Sequence, residues 1–245
     1  MGMDSTAYAA EAAIEADHWW FVGRRLLFSE LIRGFELALD AEILDVGTST
    51  GTNLRLLRDL GFARITGVDQ SPDAVRFCAE KGLGTVQLGD IRALQLPDRH
   101  FDLVLATDVI EHVDDDLAAL RELRRVLRPG GYLLLTVPAF HLLWGLQDEV
   151  SHHERRYRLR KLLKLLHIAD LSPRQYFYFN YLLFLPILAA RRVMRTLKIR
   201  IASENEINAG WLNRVLITLF RFDVETAPRL HPPFGVSALV VATRA

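Results

Sequence analysis

The stretch "ILDVGTSTGTN", Ile43 to Asn53, decides how the rest of the chain is read. Ile43, Leu44 and Val46 form a short apolar run suited to a buried strand, and "TNLRLLRDLG" follows with leucines at helical spacing. The turn between them, Gly47-Thr48-Ser49-Thr50-Gly51, spells G-x-S-x-G, the pattern of a serine nucleophile on a strand-to-helix elbow. The same residues suit a glycine-containing loop that lets a nucleotide-like ligand approach the backbone. In one reading Ser49 attacks a substrate. In the other it is a spacer.

Outward from this loop, strands alternate with helices. "RITGVD", "GTVQLGD", "FDLVLATD" and "YLLLTVPA" read as strands. Between the first two, "SPDAVRFCAEKG" predicts a helix with Ser71 as N-cap, Pro72 at the first helical position and Gly82 at its end. "DDLAALRELRRVLRPGG" predicts another, stopped at Pro129-Gly130-Gly131. Such alternation implies an α/β domain of parallel βαβ units with helices on both sheet faces. Residues 6–36 read as helical. "ERRYRLRKLLKLLHIAD" reads as an amphipathic helix with Leu159, Leu162, Leu163 and Leu166 on one face. "SPRQYFYFN" and "FGVSALVVATR" read as two more strands, separated by apolar helical stretches around 181–198 and 210–222.

At 245 residues the chain suits one elaborated domain. Its parts are a helical cap (1–38), a central core (39–150) and a substrate-side region (151–245) with a helical insertion at about 180–233. The lone cysteine, Cys78, cannot form an internal disulfide and reads as a buried structural thiol, which suggests a reducing, cytoplasmic setting. The acidic N-terminus without an apolar run argues against a secretory signal. A net charge of zero hides an asymmetry: residues 151–245 carry 16 Lys+Arg against 6 Asp+Glu, and residues 1–150 carry 14 against 24. The basic part either meets an anionic substrate or membrane surface or pairs with the acidic part.

Acids gather at the strand ends. Asp45 lies two residues before Gly47, Asp69 closes the next strand 22 residues after it, and Gly89-Asp90 closes the third. An acid about 20 residues beyond a glycine loop is where a βαβ nucleotide site holds a ribose. This makes Ser49 part of a ligand site and weakens the hydrolase reading, as does the lack of an HGGG run before the loop. A dinucleotide fingerprint would want glycine where Ser49 and Thr52 stand, so a nicotinamide dinucleotide is disfavoured as well.

Asp45-x-Gly47-x-Ser49-x-Gly51, Asp69, Asp90-Ile91, "FDLVLATDVIEHVDD" and "LRPGGYLLLTVP" resemble, in order and spacing over residues 40–140, the motifs of class I S-adenosylmethionine-dependent methyltransferases. Ser49 departs from the family's usual middle glycine. The resemblance implies a Rossmann-like, mostly parallel seven-stranded sheet whose last two strands pair antiparallel, an N-terminal helical lid and a helical insertion before the last strand. It implies S-adenosylmethionine as cofactor and S-adenosylhomocysteine as product. By the same resemblance Gly47, Thr48, Ser49 and Gly51 flank the methionine part, Asp69 with neighbouring Gln70 holds the ribose, and Asp90 and Ile91 meet the adenine. Thr107 and Asp108 lie by the amino-acid end or the methyl group, and Asp45 acts through water or braces the loop.

The expected acceptor is a small molecule. Asp108-Val109-Ile110-Glu111 replaces the (N/D)-P-P-(Y/F) tetrad of base N-methylating relatives, so no nucleic-acid partner is expected. "HWWFVGRR", with Trp20 and Arg24, is either core packing or a lid. "SHHERRY" offers Arg155, Arg156 and Tyr157 to an anionic group and His153 as a base, unless it is only a basic helix start. His112 is the other candidate base, and no metal is assigned. "YFYFNYLLFLPILAA" followed by Arg191, Arg192, Arg195 and Lys198 is too short to span a bilayer. It would lie at the inner membrane face, cap an apolar pocket or form a dimer contact. The expected reaction is O-methylation of an apolar or lipid-linked acceptor. A soluble sugar or amine acceptor and a non-catalytic binding module are the alternatives.

Overall fold

The apolar runs become the middle of one sheet. In the computed structural model, which describes residues 5–196 and 210–245, seven strands take the order β3-β2-β1-β4-β5-β7-β6. β1 (Glu42–Val46), β2 (Arg64–Asp69), β3 (Thr85–Leu88), β4 (Phe101–Thr107) and β5 (Leu127–Pro138) run parallel. β6 (Leu171–Phe179) and β7 (Ser237–Arg244) are antiparallel to each other, and β7 is antiparallel to β5. The expected reversed hairpin is present. Every residue of β7 is buried, as a strand covered on both faces requires.

Helices cover the two faces: α1 (Ser5–Ile14), α2 (Trp19–Arg33), α3 (Thr52–Asp59), α4 (Pro72–Glu80), α5 (Asp116–Val126), the short α6 (Leu146–Val150), α7 (Leu159–Ile168), α8 (Phe184–Thr196) and α9 (Gly210–Leu230). One apolar layer joins Leu44, Val104, Leu133 and Val240 to α5 and α7; the other joins Ile43, Leu103 and Leu239 to α2 and α9. β1 lies between β2 and β4, so successive crossovers leave it in opposite directions and a crevice opens beyond its carboxyl end.

Several boundaries differ from the sequence reading. The 6–36 helix is broken before Trp19, because extended His18 caps α2 through an Nδ1 that accepts from the Trp20 amide. Ser71 precedes α4 but makes no side-chain cap; it is hydrogen-bonded with Tyr8 instead. α5 stops at Val126, where the Arg244 guanidinium donates to the carbonyls of Arg124, Arg125 and Leu127 at 2.8–2.9 Å. β5 therefore starts at Leu127 and passes through Pro129-Gly130-Gly131 beside an irregular register with β4. Residues 154–158 are not helical, since Tyr157 bridges to Ala139 next to the end of β5. The stretch expected to be helical at 210–222 continues to Leu230, and Asp223 ties it to the amides of Asn180 and Tyr181 at 2.7 and 2.6 Å. The end of the 181–198 stretch, with Lys198, lies outside the described residues.

α2 and α9 pack closely because Gly23 has no side chain: a Cβ there would stand 2.3 Å from Phe220 Cγ. Asn213 then bonds Trp19 N and Asp17 O at 2.8 Å each. Two helices far apart in the sequence, α2 and α9, thus form one cover over the sheet rim.

Candidate active site

A cavity of about 550 Å³ lies between that rim and the cover. Gly47 opens it at φ +78, and a Cβ added there would stand 2.4 Å from Val109 Cγ2, so only glycine fits. Asp69 holds the loop in shape: its carboxylate accepts from Ser49 N and Ser71 N at 2.9 Å each and still faces the cavity. Burial raises the Asp69 carboxyl above its ordinary range despite these amides. Thr48, Ser49 and Gln70 line the same end, with Ile91 beside them.

Four neighbours shape this end from behind. Asp45 is fully buried and outside the lining; burial pushes its carboxyl up to about 7, against the bond donated by Asn53 Nδ2 at 3.0 Å. The same amide donates to Thr107 Oγ1 at 2.9 Å, so Asn53 couples β1 to β4. Gly51 is also behind the lining, where a Cβ would meet Leu83 Cδ1 at 2.3 Å and Cys78 Sγ at 3.1 Å. Cys78 is buried, and its thiol is pushed up to about 11 by burial. Asp90 faces away: its carboxylate is held by Arg92 and kept below its ordinary range by that bond. Asp90 thus lies outside the lining, between Gly89 and Ile91, which are in it.

Sequence reasoning missed the clasp over the loop. Ser49 Oγ donates to Glu11 Oε2 at 3.1 Å, so its partner among the described residues is a carboxylate on α1 and not a histidine. Thr50 bonds Glu15, which also receives Thr52 Oγ1 at 3.1 Å and Lys81 Nζ at 2.7 Å. The two glutamates lie one helical turn apart on an alanine-rich segment, which was the signal available. Trp20 and Arg24 of α2 combine both earlier readings: Trp20 stacks on Phe179 while lining the cavity, and Arg24 pairs with Asp108 at 2.5 Å.

The other end of the cavity is chemically different. Glu111, His112, His153 and Arg156 line it, and the rings of His112 and His153 lie 4.7 Å apart. His153 Nδ1 meets Asp148 Oδ1 at 2.8 Å, and Arg156 grips the same carboxylate at 2.7 and 3.0 Å. Burial would raise Asp148, yet these bonds hold it well below the usual carboxylate range. Burial drives His112 down to about 4. Arg155 and Tyr157 are not in the lining. Arg155 reaches Asp116 and the Asp114 carbonyl, and Tyr157 is buried with its hydroxyl on Asp116 Oδ2 at 2.9 Å. Arg191, part of the basic stretch offered to a membrane face, a pocket cap or a dimer contact, reaches the Leu143 carbonyl and lies 3.7 Å from Asp148. Leu183, Ile187 and Met194 from the β6–α9 region, with Leu212 and Leu216 from α9, give the cavity an apolar wall.

Residues 44–135, from within β1 to within β5, match the methyltransferase domain family. Over those residues the chain resembles methyltransferase domains. The chain is 32% identical over 163 residues to a malonyl-acyl-carrier-protein O-methyltransferase of Serratia marcescens, covering 66% of the chain and 60% of that protein. It is 38% identical over 99 residues to a fatty-acid O-methyltransferase of Mycolicibacterium smegmatis, covering 38% of the chain and 36% of that protein. The matches thus span less than two thirds of these relatives' length. Among solved structures, the methyltransferase in a complex with the Trm112 methyltransferase activator of Haloferax volcanii gives a TM-score of 0.65 at 20% identity, covering 98% of this chain and 94% of that one. That likeness is one of fold. The family's cofactor is S-adenosylmethionine, and the Gly47 turn beside a cavity-facing Asp69 suits a phosphate-free nucleoside.

Proposed function

We propose that the protein transfers a methyl group from S-adenosylmethionine to an oxygen of a small acceptor with an apolar body. The observation that carries this reading is one cavity with two chemistries: Gly47, Ser49 and Asp69 at one end, His112 and His153 at the other, and an apolar wall of Leu183, Ile187 and Leu212 between them. Asp69 would accept hydrogen bonds from the ribose hydroxyls, Gln70 and Ile91 would flank the ribose and adenine, and the amides of the 47–49 turn would face the methionine part. Thr107 and Asp108 would lie at the amino-acid end, with Arg24 balancing Asp108. Asp45 braces Asn53, and Asp90 takes no part.

S-adenosylmethionine supplies a methyl carbon already carried by a sulfonium leaving group. The chain aligns the acceptor, excludes water and takes the hydroxyl proton as the C–O bond forms. His153 suits that task better than His112. Asp148 fixes its Nδ1–H, which leaves Nε2 as a lone pair, whereas a His112 held near 4 is a weak base. The names of the two relatives, a malonyl-acyl-carrier-protein O-methyltransferase and a fatty-acid O-methyltransferase, support an acceptor with an acyl body.

The test is transfer of labelled methyl to a panel of fatty acids, acylated hydroxy compounds, free sugars and amines, with S-adenosylmethionine binding followed by calorimetry. Saturable binding, turnover of the acyl acceptors and a fall in kcat of about 10²–10⁴-fold in His153→Gln are expected. Turnover of sugars or amines alone would replace the acceptor class, and binding without any turnover would leave a non-catalytic module.

Leu185, Trp211 and Phe222 are exposed on α8 and α9, and Arg192 of α8 is exposed as well. Among the described residues no helix is long and apolar enough to cross a membrane. These features support peripheral contact with an anionic bilayer, which would deliver a lipid-linked acceptor. Co-sedimentation with anionic vesicles should fall in Trp211→Ser and Arg192→Gln. Equal recovery in the supernatant with and without vesicles would reject membrane contact, and a dimer at every protein concentration would give this face to a second copy.

A further inference from the structure

Glu111 occupies an unusual position. It is fully buried, lines the cavity, and neither carboxylate oxygen has a hydrogen-bond partner among the described residues. Asp108, a second carboxylate close by, gives one oxygen to Arg24 and leaves Oδ1 buried without a partner. Buried carboxylates without partners are costly, so such a group calls for a proton or a cation. Among the described residues, Glu111, His112 and His153 each present one ligand atom such that all three lie within 4.8 Å of one another.

We infer that Glu111, His112 and His153 form a binding site for a single divalent cation of the zinc, iron or manganese type at the acceptor end of the cavity. One carboxylate and two imidazoles on one side of a cation, with positions left open, are a recurring donor set for such ions. Ligands about 2.0–2.1 Å from a zinc-sized ion stand about 3.4 Å apart, so closure draws each group inward by under about 1 Å. The groups behind the ligands are already in place. Asp148 takes the Nδ1–H of His153 at 2.8 Å, and the backbone carbonyls of Ser151 and His152 accept from His112. A ligating imidazole ordinarily has its second nitrogen engaged in this way. The backbone bond from Glu154 N to Glu111 O at 2.8 Å pins the two segments together, so the donor set does not depend on a flexible loop.

This inference rests on the methyltransferase reading of the cavity and sharpens it. Three protein ligands leave room for an acceptor offering two neighbouring oxygens, such as a hydroxyl beside a carbonyl, a carboxylate or a second hydroxyl. A bound cation acidifies that hydroxyl, whose proton then passes to water, and His153 acts as a ligand instead of a base. Loss of His153 lowers activity under either account, so activity is not the discriminating measurement.

The experiment titrates chelator-stripped protein with Zn²⁺ by calorimetry and with Co²⁺ by visible absorption, and measures S-adenosylhomocysteine binding on the same samples. The wild type should take up one ion, with a Co²⁺ spectrum distinct from the aquo ion. Glu111→Gln and His153→Ala should bind at least tenfold more weakly while retaining S-adenosylhomocysteine, and His167→Ala, exposed on α7, should match the wild type. If Glu111→Gln does not fold, His153→Ala decides. Wild type that binds S-adenosylhomocysteine but takes up no ion overturns the cation site, as does unchanged affinity in both ligand variants. Uptake of the ion without S-adenosylhomocysteine binding overturns the cofactor reading and leaves the cation site standing.

Discussion

The two ends of the cavity are built in opposite ways. At the cofactor end the shaping residues, from Asp45 through Gly47 and Asn53 to Asp69, come from one strand-turn-helix-strand run, and backbone geometry does most of the work. At the acceptor end Glu111 and His112 meet His153 and Asp148 from a later segment, under a wall drawn from α8 and α9. A local unit can be changed only where a backbone angle or a buried contact permits. A composite unit can exchange its wall and keep its fold. Under the proposed function, the first end would hold the cofactor and the second would set acceptor choice.

Substitutions at the cofactor end test how far this contrast holds. The largest effect is expected at Gly47, where Gly47→Ala forces a Cβ onto Val109 at a positive φ. The expected cost is about 3–4 kcal/mol of unfolding free energy, measured by urea denaturation, with loss of cofactor binding. A wild-type melt and affinity would show that the turn tolerates side chains.

Asp45→Asn comes next and has the opposite sign. With its folded carboxyl pushed up to about 7, Asp45 is neutral in the folded state and ionised in the unfolded state between about pH 4 and pH 7. Its contribution to stability is complete below pH 4 and is lost as pH rises through 7. Asp45→Asn should therefore leave stability unchanged at pH 4 and raise it by about 2–3 kcal/mol at pH 8. Parallel wild-type and variant curves across that range would mean Asp45 is ionised in the fold.

Asp69→Ala should weaken S-adenosylmethionine binding by about 1–3 kcal/mol in calorimetry, the scale of lost hydrogen bonds to a charged group. The smallest change is expected at Asp90, which Arg92 holds outside the cavity: Asp90→Ala should alter that affinity by less than about 0.5 kcal/mol. Equal losses at Asp69 and Asp90 would mean that Arg92 releases its partner when the cofactor binds.

Much of the first end was legible because its signals are short-range. The strand before Gly47, the leucine spacing after it and the acid 22 residues on are all set by local periodicity, and the sheet contains them as read. Boundaries were lost wherever a distant group intervened. Arg244 ends α5 three residues before Pro129, and Ala139 holds Tyr157 extended where leucine spacing suggested helix. Arg155 and Tyr157 looked like site residues by type, but Asp116 claims both as supports. The Ser49–Glu11 bond was invisible because nothing in either segment reports that α1 folds back over the loop.

The sequence by itself determined the parallel core, the glycine turn and the row of acids, since period, turn chemistry and spacing act within a few residues along the chain. Only the tertiary structure decided which acids face the cavity, that Glu111 is buried against two histidines, and that α2 and α9, far apart in the sequence, close over the rim. Those outcomes depend on which far-apart groups satisfy one another once water is excluded, a competition that no single segment encodes.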